Sequence, residues 1–249
     1  DNETAPDGIP FTGASAAYSA TSFFFLKPGT ETKYVTFAGY ARNAMSFSQV
    51  ADVADPTALY HTVKYHLERG AFAYGEQTRN DDVPKIGSGS YTGSMIASMV
   101  NNPSLDNEAF GSILPNYFQW IEGRAKLDVD FATALFQLNL DGTVLAPQLD
   151  RYSGVDQSTI LAGAKFSAVG KGDINLVSYG GFKGKFDSAS FLNPDQVRHT
   201  VNIAGSSVDG AFFGPAGEEA GASFRITGGN PDERVDIVGF GVACDFVNG

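Results

Sequence analysis

The chain has 249 residues, 43% of them hydrophobic, and a formal net charge of −11. That length holds one large domain or two small ones, with enough apolar surface for a core. The acidity argues against nucleic acid, whose phosphates demand basic patches, and against a strongly anionic membrane surface.

The chain opens on "DNETAPDGIPFTG", which has neither a basic nor an apolar signal region. It reads as a mature N-terminus from which any export signal has gone. It has no N-terminal Cys to carry a lipid, so a soluble, unanchored protein is expected. Then "TSFFFLKPG" and "KYVTFAGYARN" read as strands. "ADVADPTALYHTVKYHLERG" is open: Asp55-Pro56 suits a helix start, whereas the β-branched and aromatic residues after it favour a strand. "GSGSYTGSM" reads as a strand, followed by a long loop over about 97–120 that holds the only tryptophan, Trp120. A loop of that length is usually functional or packed on another part.

From there the pattern alternates with period two. In "GRAKLDVDF", Ala125, Leu127, Val129 and Phe131 share one face, and Arg124, Lys126, Asp128 and Asp130 the other. "ATALFQLNL" continues it to Asp141-Gly142, a hairpin-turn signal. "ILAGAKFSA", "GFKGKFDS", "VDGAFFG", "GASFRIT" and "RVDIVGFGV" repeat it. About eight short strands, each with one apolar and one polar face, suggest a small closed barrel, and eight strands leave room only for side chains. The composition (29 Gly, 20 Phe, 10 Tyr) agrees with an all-β protein. No apolar run approaches the 18 residues of a membrane helix. Cys244 is the one cysteine, so no intrachain disulfide forms, which leaves the cell exterior open. Residues 1–87 carry net −3 and residues 88–249 net −8, so an anionic ligand suits the first part better.

Two passages carry a resemblance. "GAFFGPAGEEAGASFRITGG" resembles the closing hairpin of the transferrin-binding protein B barrel family. "FAYGEQTRNDDVPKIGSGSYTG" resembles that family's approach to its first barrel strand. The motifs occur in the family's order and cover about residues 70–249. The resemblance implies a mainly β protein: an N-terminal handle, residues 1–87, followed by an eight-stranded antiparallel barrel, residues 88–249. It further implies a Gram-negative protein exported with the help of an outer-membrane translocator. The start at Asp1 favours the secreted, heme-capturing hemophilin branch, in which the handle holds heme (iron protoporphyrin IX).

Heme needs an axial ligand, an apolar slot and cations for its propionates. Of three histidines, His61 and His66 sit together in "LYHTVKYHLERG" and His199 lies in the barrel region. Five residues apart, the first two fall on opposite faces of a strand, or about 140° apart on a helix. A regular element therefore does not bring both to one iron; ligation by both needs a loop or turn, and ligation by one is simpler. Each is also explained as an ordinary hydrogen-bonded surface histidine. Tyr40, Tyr60 and Tyr65 are fallback ligands or stacking groups, with aromatic core as the plainer account. Met45 reads as core. Phe23 to Phe25 could wall a slot or fill a buried strand. Arg42, Lys64 and Arg69 could pair with propionates or stay solvated.

Catalytic patterns find little support. Asp128 and Asp130 share the charged face of a strand, Glu218-Glu219 lies at a turn, and Cys244 has no neighbouring His in sequence. The expectation is a non-enzymatic, monomeric secreted hemophore. It would take heme from host hemoglobin and deliver it to an outer-membrane, TonB-dependent receptor. The alternative is a surface or secreted adhesin of the same fold that binds a host protein without a cofactor.

Overall fold

The computed structural model describes residues 17–25, 32–51, 59–102, 117–146, 159–177, 181–230 and 233–248. Three strands, β1 (Ala17–Phe25), β2 (Val35–Ala51) and β3 (Leu59–Gly75), form one sheet in the order β1-β2-β3. Nine follow: β4 (Ser88–Asn102), β5 (Tyr117–Asp130), β6 (Leu135–Val144), β7 (Lys165–Asn175), β8 (Gly181–Leu192), β9 (Arg198–Thr200), β10 (Ile203–Phe213), β11 (Glu219–Asn230) and β12 (Glu233–Asn248). They pair antiparallel in the order β10-β11-β12-β4-β5-β6-β7-β8-β9, and β10 also pairs with β8. That last pairing closes an eight-stranded antiparallel barrel, the fold class expected, with β9 added against β8. The chain divides into two compact units, one of Asp1–Phe24 with Tyr40–Gly70 and one of Phe25–Gly39 with Ala71–Gly249. Strands β2 and β3 each run through the division.

Alternation decides what fills the barrel. On β5 the buried apolar residues are Ile121, Ala125, Leu127 and Val129, and on β6 Phe136, Leu138, Leu140 and Val144. Aromatic rings do much of the filling: Phe182 lies 5.1 Å from Phe136 and 5.4 Å from Phe212, and Phe212 lies 5.7 Å from Phe131. The void left between Leu127, Leu138, Leu140, Phe182 and Ala222 is about 20 Å³, room for one water at most. The barrel is filled, as expected of eight strands.

Outside, Lys126–Asp128 at 2.9 Å, Lys171–Asp187 at 3.1 Å and Lys183–Asp209 at 3.3 Å pair across the surface. Apolar inside and charged outside is the inverse of a membrane-spanning barrel. Among the described residues no helix is long and apolar enough to cross a membrane.

The structure corrects several readings. The eight barrel strands run 10–16 residues and are not short. Residues 97–102 and 117–120, expected in a loop, extend β4 and β5, and Trp120 stands on β5 with Phe118 edge-on at 5.2 Å. Asp141-Gly142 is not a turn. It lies inside β6, with Gly142 opposite Gly123, and a Cβ on Gly142 would come within 2.8 Å of Ile121. Close approach of Ile121 from β5 and Met95 from β4 asks for that glycine. The real turn is 131–134, where Asp130 accepts the N–H groups of Ala132 and Thr133. "ILAGAKFSA" enters β7 only at Lys165; Ile160 is buried but Ala162 is exposed. The open segment resolves as a strand from Leu59 on.

The two recognised motifs meet. Strands β10 and β11 make the hairpin, with turn glycines Gly214 and Gly217 at φ 89° and 75°. At Gly214 a Cβ would also strike the Glu218 carboxylate at 2.5 Å and the Tyr34 ring at 2.7 Å, so only glycine serves. Tyr91, on β4, donates its hydroxyl to the Gly217 carbonyl at 2.7 Å. Burial pushes that phenol's pKa well up. Thr78 donates its hydroxyl to the Gly214 carbonyl at 2.6 Å, and the Gly214 N–H donates to the Glu76 carbonyl at 2.8 Å.

Glu219 does more than sit at the turn. It is buried, and its carboxylate accepts three successive backbone N–H groups, from Lys33 at 2.6 Å, Tyr34 at 2.8 Å and Val35 at 2.9 Å. Beside this clasp the ring of Phe37 lies 4.0 Å from that of Phe240. The root of β2, residues 32–39, is thereby fixed to the barrel wall within the larger unit.

At the opposite end of the strands, buried amides hold residues 159–161. Gln119 donates to the Ile160 carbonyl at 3.1 Å and Asn101 to the Thr159 hydroxyl at 3.1 Å. Asn193 donates to the Thr159 carbonyl at 2.9 Å and accepts the Leu161 N–H at 3.1 Å. Ile160 between them is buried in the barrel core.

Candidate functional site

Within the smaller unit, neighbouring strands bring two of the expected residues onto one face. Tyr40 and Arg42 stand two positions apart on β2, the spacing that shares a face. Phe23 on β1 has its ring 6.4 Å from that of Tyr40. On the other side, the Tyr40 ring lies over Gly70 of β3, where a Cβ would come within 2.5 Å of it. Arg42 reaches Glu68 of β3 at 3.4 Å. Phe23 is 77% exposed, Tyr40 is half-buried and Arg42 is exposed. The described face is thus an aromatic pair beside an ion pair, both carried by strands. Glu68 was not among the expected residues. Its charge is visible in the sequence, but only the register of β2 against β3 sets it beside Arg42.

Tyr40 and Arg42 therefore come together. His61 and His66 both fall on β3, but their side chains lie outside the described residues, as do those of Met45, Tyr60, Lys64, Tyr65, Phe24 and Phe25. With a strand in place of the open segment, the odd separation of the two histidines is the relevant geometry. Position 66 has the alternation phase of Glu68 and Gly70, and position 61 the opposite one. Arg69 is half-buried.

The barrel accounts for the remaining chemistry-bearing groups structurally. Asp128 pairs with Lys126 and accepts from the Ser90 hydroxyl at 2.8 Å. Asp130 ends β5, and its pKa is held down chiefly by the Thr133 backbone N–H, then by the Thr133 hydroxyl, then by Ala132. Glu218 accepts the Ala216 N–H at 2.9 Å and so caps its turn. His199 lies on β9 with Nε2 3.2 Å from the Asn193 amide nitrogen. Asn193 keeps that nitrogen as the donor because its oxygen takes the Leu161 N–H, so Nε2 of His199 accepts. The side chain of Cys244 lies outside the described residues. Among the described residues no three His, Cys, Asp or Glu side chains gather in a way that could hold a metal ion.

No protein-family model and no curated protein matches the chain. Solved structures do resemble it. Transferrin-binding protein B of Haemophilus parasuis is 20% identical over 89% of this chain and 38% of its own, with a TM-score of 0.37. Transferrin-binding protein B of serogroup B Neisseria meningitidis is 16% identical over 96% of this chain and 44% of its own, with a TM-score of 0.36. The haemoglobin receptor HpuA of Kingella denitrificans is 12% identical over 99% of this chain and 76% of its own, with a TM-score of 0.33. The chain spans about two fifths of the length of the transferrin-binding protein B structures it matches.

Proposed function

We propose that this chain is a secreted or surface-borne binding protein that engages a host protein through the sheet of its smaller unit. The observation that carries the reading is the exposed Phe23 beside Tyr40, flanked by the Arg42–Glu68 pair. Aromatic residues and arginine are the groups in which interface energy concentrates. Among the described residues the barrel interior is filled with apolar side chains, which supports recognition on an outer surface. Arg42 and Glu68 would each trade their shared contact for an opposite charge on the partner.

Heme capture is the second reading, and it rests on His61 and His66 occupying one strand of the same sheet. With one histidine as ligand, Tyr40 would stack on the porphyrin and Arg42 would pair with a propionate. The partners of that reading, host hemoglobin as donor and an outer-membrane receptor as acceptor, follow only if heme binds. An export translocator belongs to both readings.

Two titrations separate them. Immobilised protein is exposed to transferrin, hemoglobin and heme-free globin, and apo protein is titrated with hemin while its absorption is recorded. Saturable binding to a host protein, weakened tenfold or more by Phe23→Ser or Arg42→Ala, with no sharp Soret band, supports the first reading. A stoichiometric Soret band altered by His61→Ala or His66→Ala supports the second and overturns the first as the main activity.

A further inference from the structure

We infer that Glu219 makes docking of the β2 root conditional on completion of the β10–β11 hairpin, so that the main chain of residues 33–35 is locked no earlier than that hairpin forms. The inference does not depend on which ligand the protein binds. The three N–H groups that Glu219 holds lie 186, 185 and 184 residues before it. Val35, whose side chain packs against Gly221, and Phe37, against Phe240, take their burial from the same end of the chain. Of the earlier partners, β3 supplies a pairing through the Glu76 N–H on the Tyr34 carbonyl at 2.9 Å.

The strands β4 to β8 stand differently. Each pairs with its neighbour in sequence, from β4–β5 through β7–β8. Contacts that close short loops cost less chain entropy and form earlier than contacts that close long ones. Three successive N–H groups aimed at one point make an anion-binding concavity. Until a carboxylate fills it, those donors need water, and water keeps Val35 and Phe37 from their buried positions. Glu219 is the group that ends this requirement, and it stands at the first position of β11. In a chain made from its N-terminus, the root therefore exists long before its anchor does.

Pulse-labelling hydrogen exchange during refolding of the unmodified chain from urea tests the order. Amides of residues 33–35 should gain protection in the phase that protects β10 and β11, after those of β5 to β7. Protection at 33–35 with or before β5 to β7 would overturn the inference. At equilibrium, Glu219→Gln should speed exchange at 33–35 at least tenfold and leave β6 and β7 unchanged; unchanged exchange at 33–35 would remove Glu219 from the role. Should that variant not fold, the refolding experiment on the unmodified chain decides alone.

Discussion

The barrel and the sheet portion formed by residues 17–24 and 40–70 use the same strand chemistry to opposite ends. The barrel closes on itself through the pairing of β8 with β10, and its alternating side chains fill the interior. Among the described residues the three-stranded sheet has β1 and β3 at its margins, and it shows an aromatic ring and an ion pair on its described face. Closure invests sequence in stability, whereas the three-stranded sheet keeps sequence available for contact. Mutations should sort the two regions accordingly: large losses of stability from the barrel, and losses of binding with little change in stability from the sheet.

The largest effect should come from the aromatic chain inside the barrel. Phe182→Ala should cost about 3–5 kcal/mol in urea unfolding, because Phe136 and Phe212 lose their shared neighbour and cannot collapse onto the gap. A loss under 1 kcal/mol would mean the barrel is looser than its side chains show. Tyr91→Phe should cost about 1–2 kcal/mol, since the Gly217 carbonyl is left buried without its donor.

Smaller still is the 131–134 turn. Ala134 sits at φ 57°, a conformation that penalises a Cβ. Ala134→Gly should stabilise the protein by about 0.5 kcal/mol after the entropy of the added glycine is counted. The same turn carries a pH dependence with a fixed sign. The pKa of Asp130 is depressed in the folded chain by the Thr133 N–H. Its contribution is therefore complete above the unfolded carboxylate value and fades as pH falls through the folded one. The stability difference between the protein and Asp130→Asn should shrink on acidification below about pH 4, followed by unfolding at a series of pH values.

The smallest stability effect belongs to the sheet. Phe23→Ser and Arg42→Ala should each move the unfolding free energy by under about 0.5 kcal/mol, as exposed groups do. Their effect on partner binding should be tenfold or more. A variant that lost both stability and binding would erase the contrast between the regions.

Much of this was legible in the sequence, and the limits were physical. Period-two alternation revealed the barrel because one face of each strand is buried and the other wet, as at Leu127 and Asp128. It could not locate the turns. Asp141-Gly142 looks like a hairpin because glycine serves both a positive φ and a close approach, and only the pairing with Gly123 shows which applies. The turn at 131–134 was hidden because an alanine occupies its left-handed position. The role of Glu219 was invisible for another reason: its donors are more than 180 residues away, and they are main-chain groups with no sequence signature. On the sheet, Tyr40 and Arg42 were legible as residue types. Their neighbours Phe23, Glu68 and Gly70 became a site only through register.

One further property follows from the pairing of β12 with β4. The last residues of the barrel lie beside its first, with Asn248 opposite Gly89 and Val247 opposite Ser90. Entry and exit of the barrel therefore share one point of its circumference. Labels placed at Ser90 and Val247 would sit on paired strands and report fraying of the barrel where its first and last strands meet.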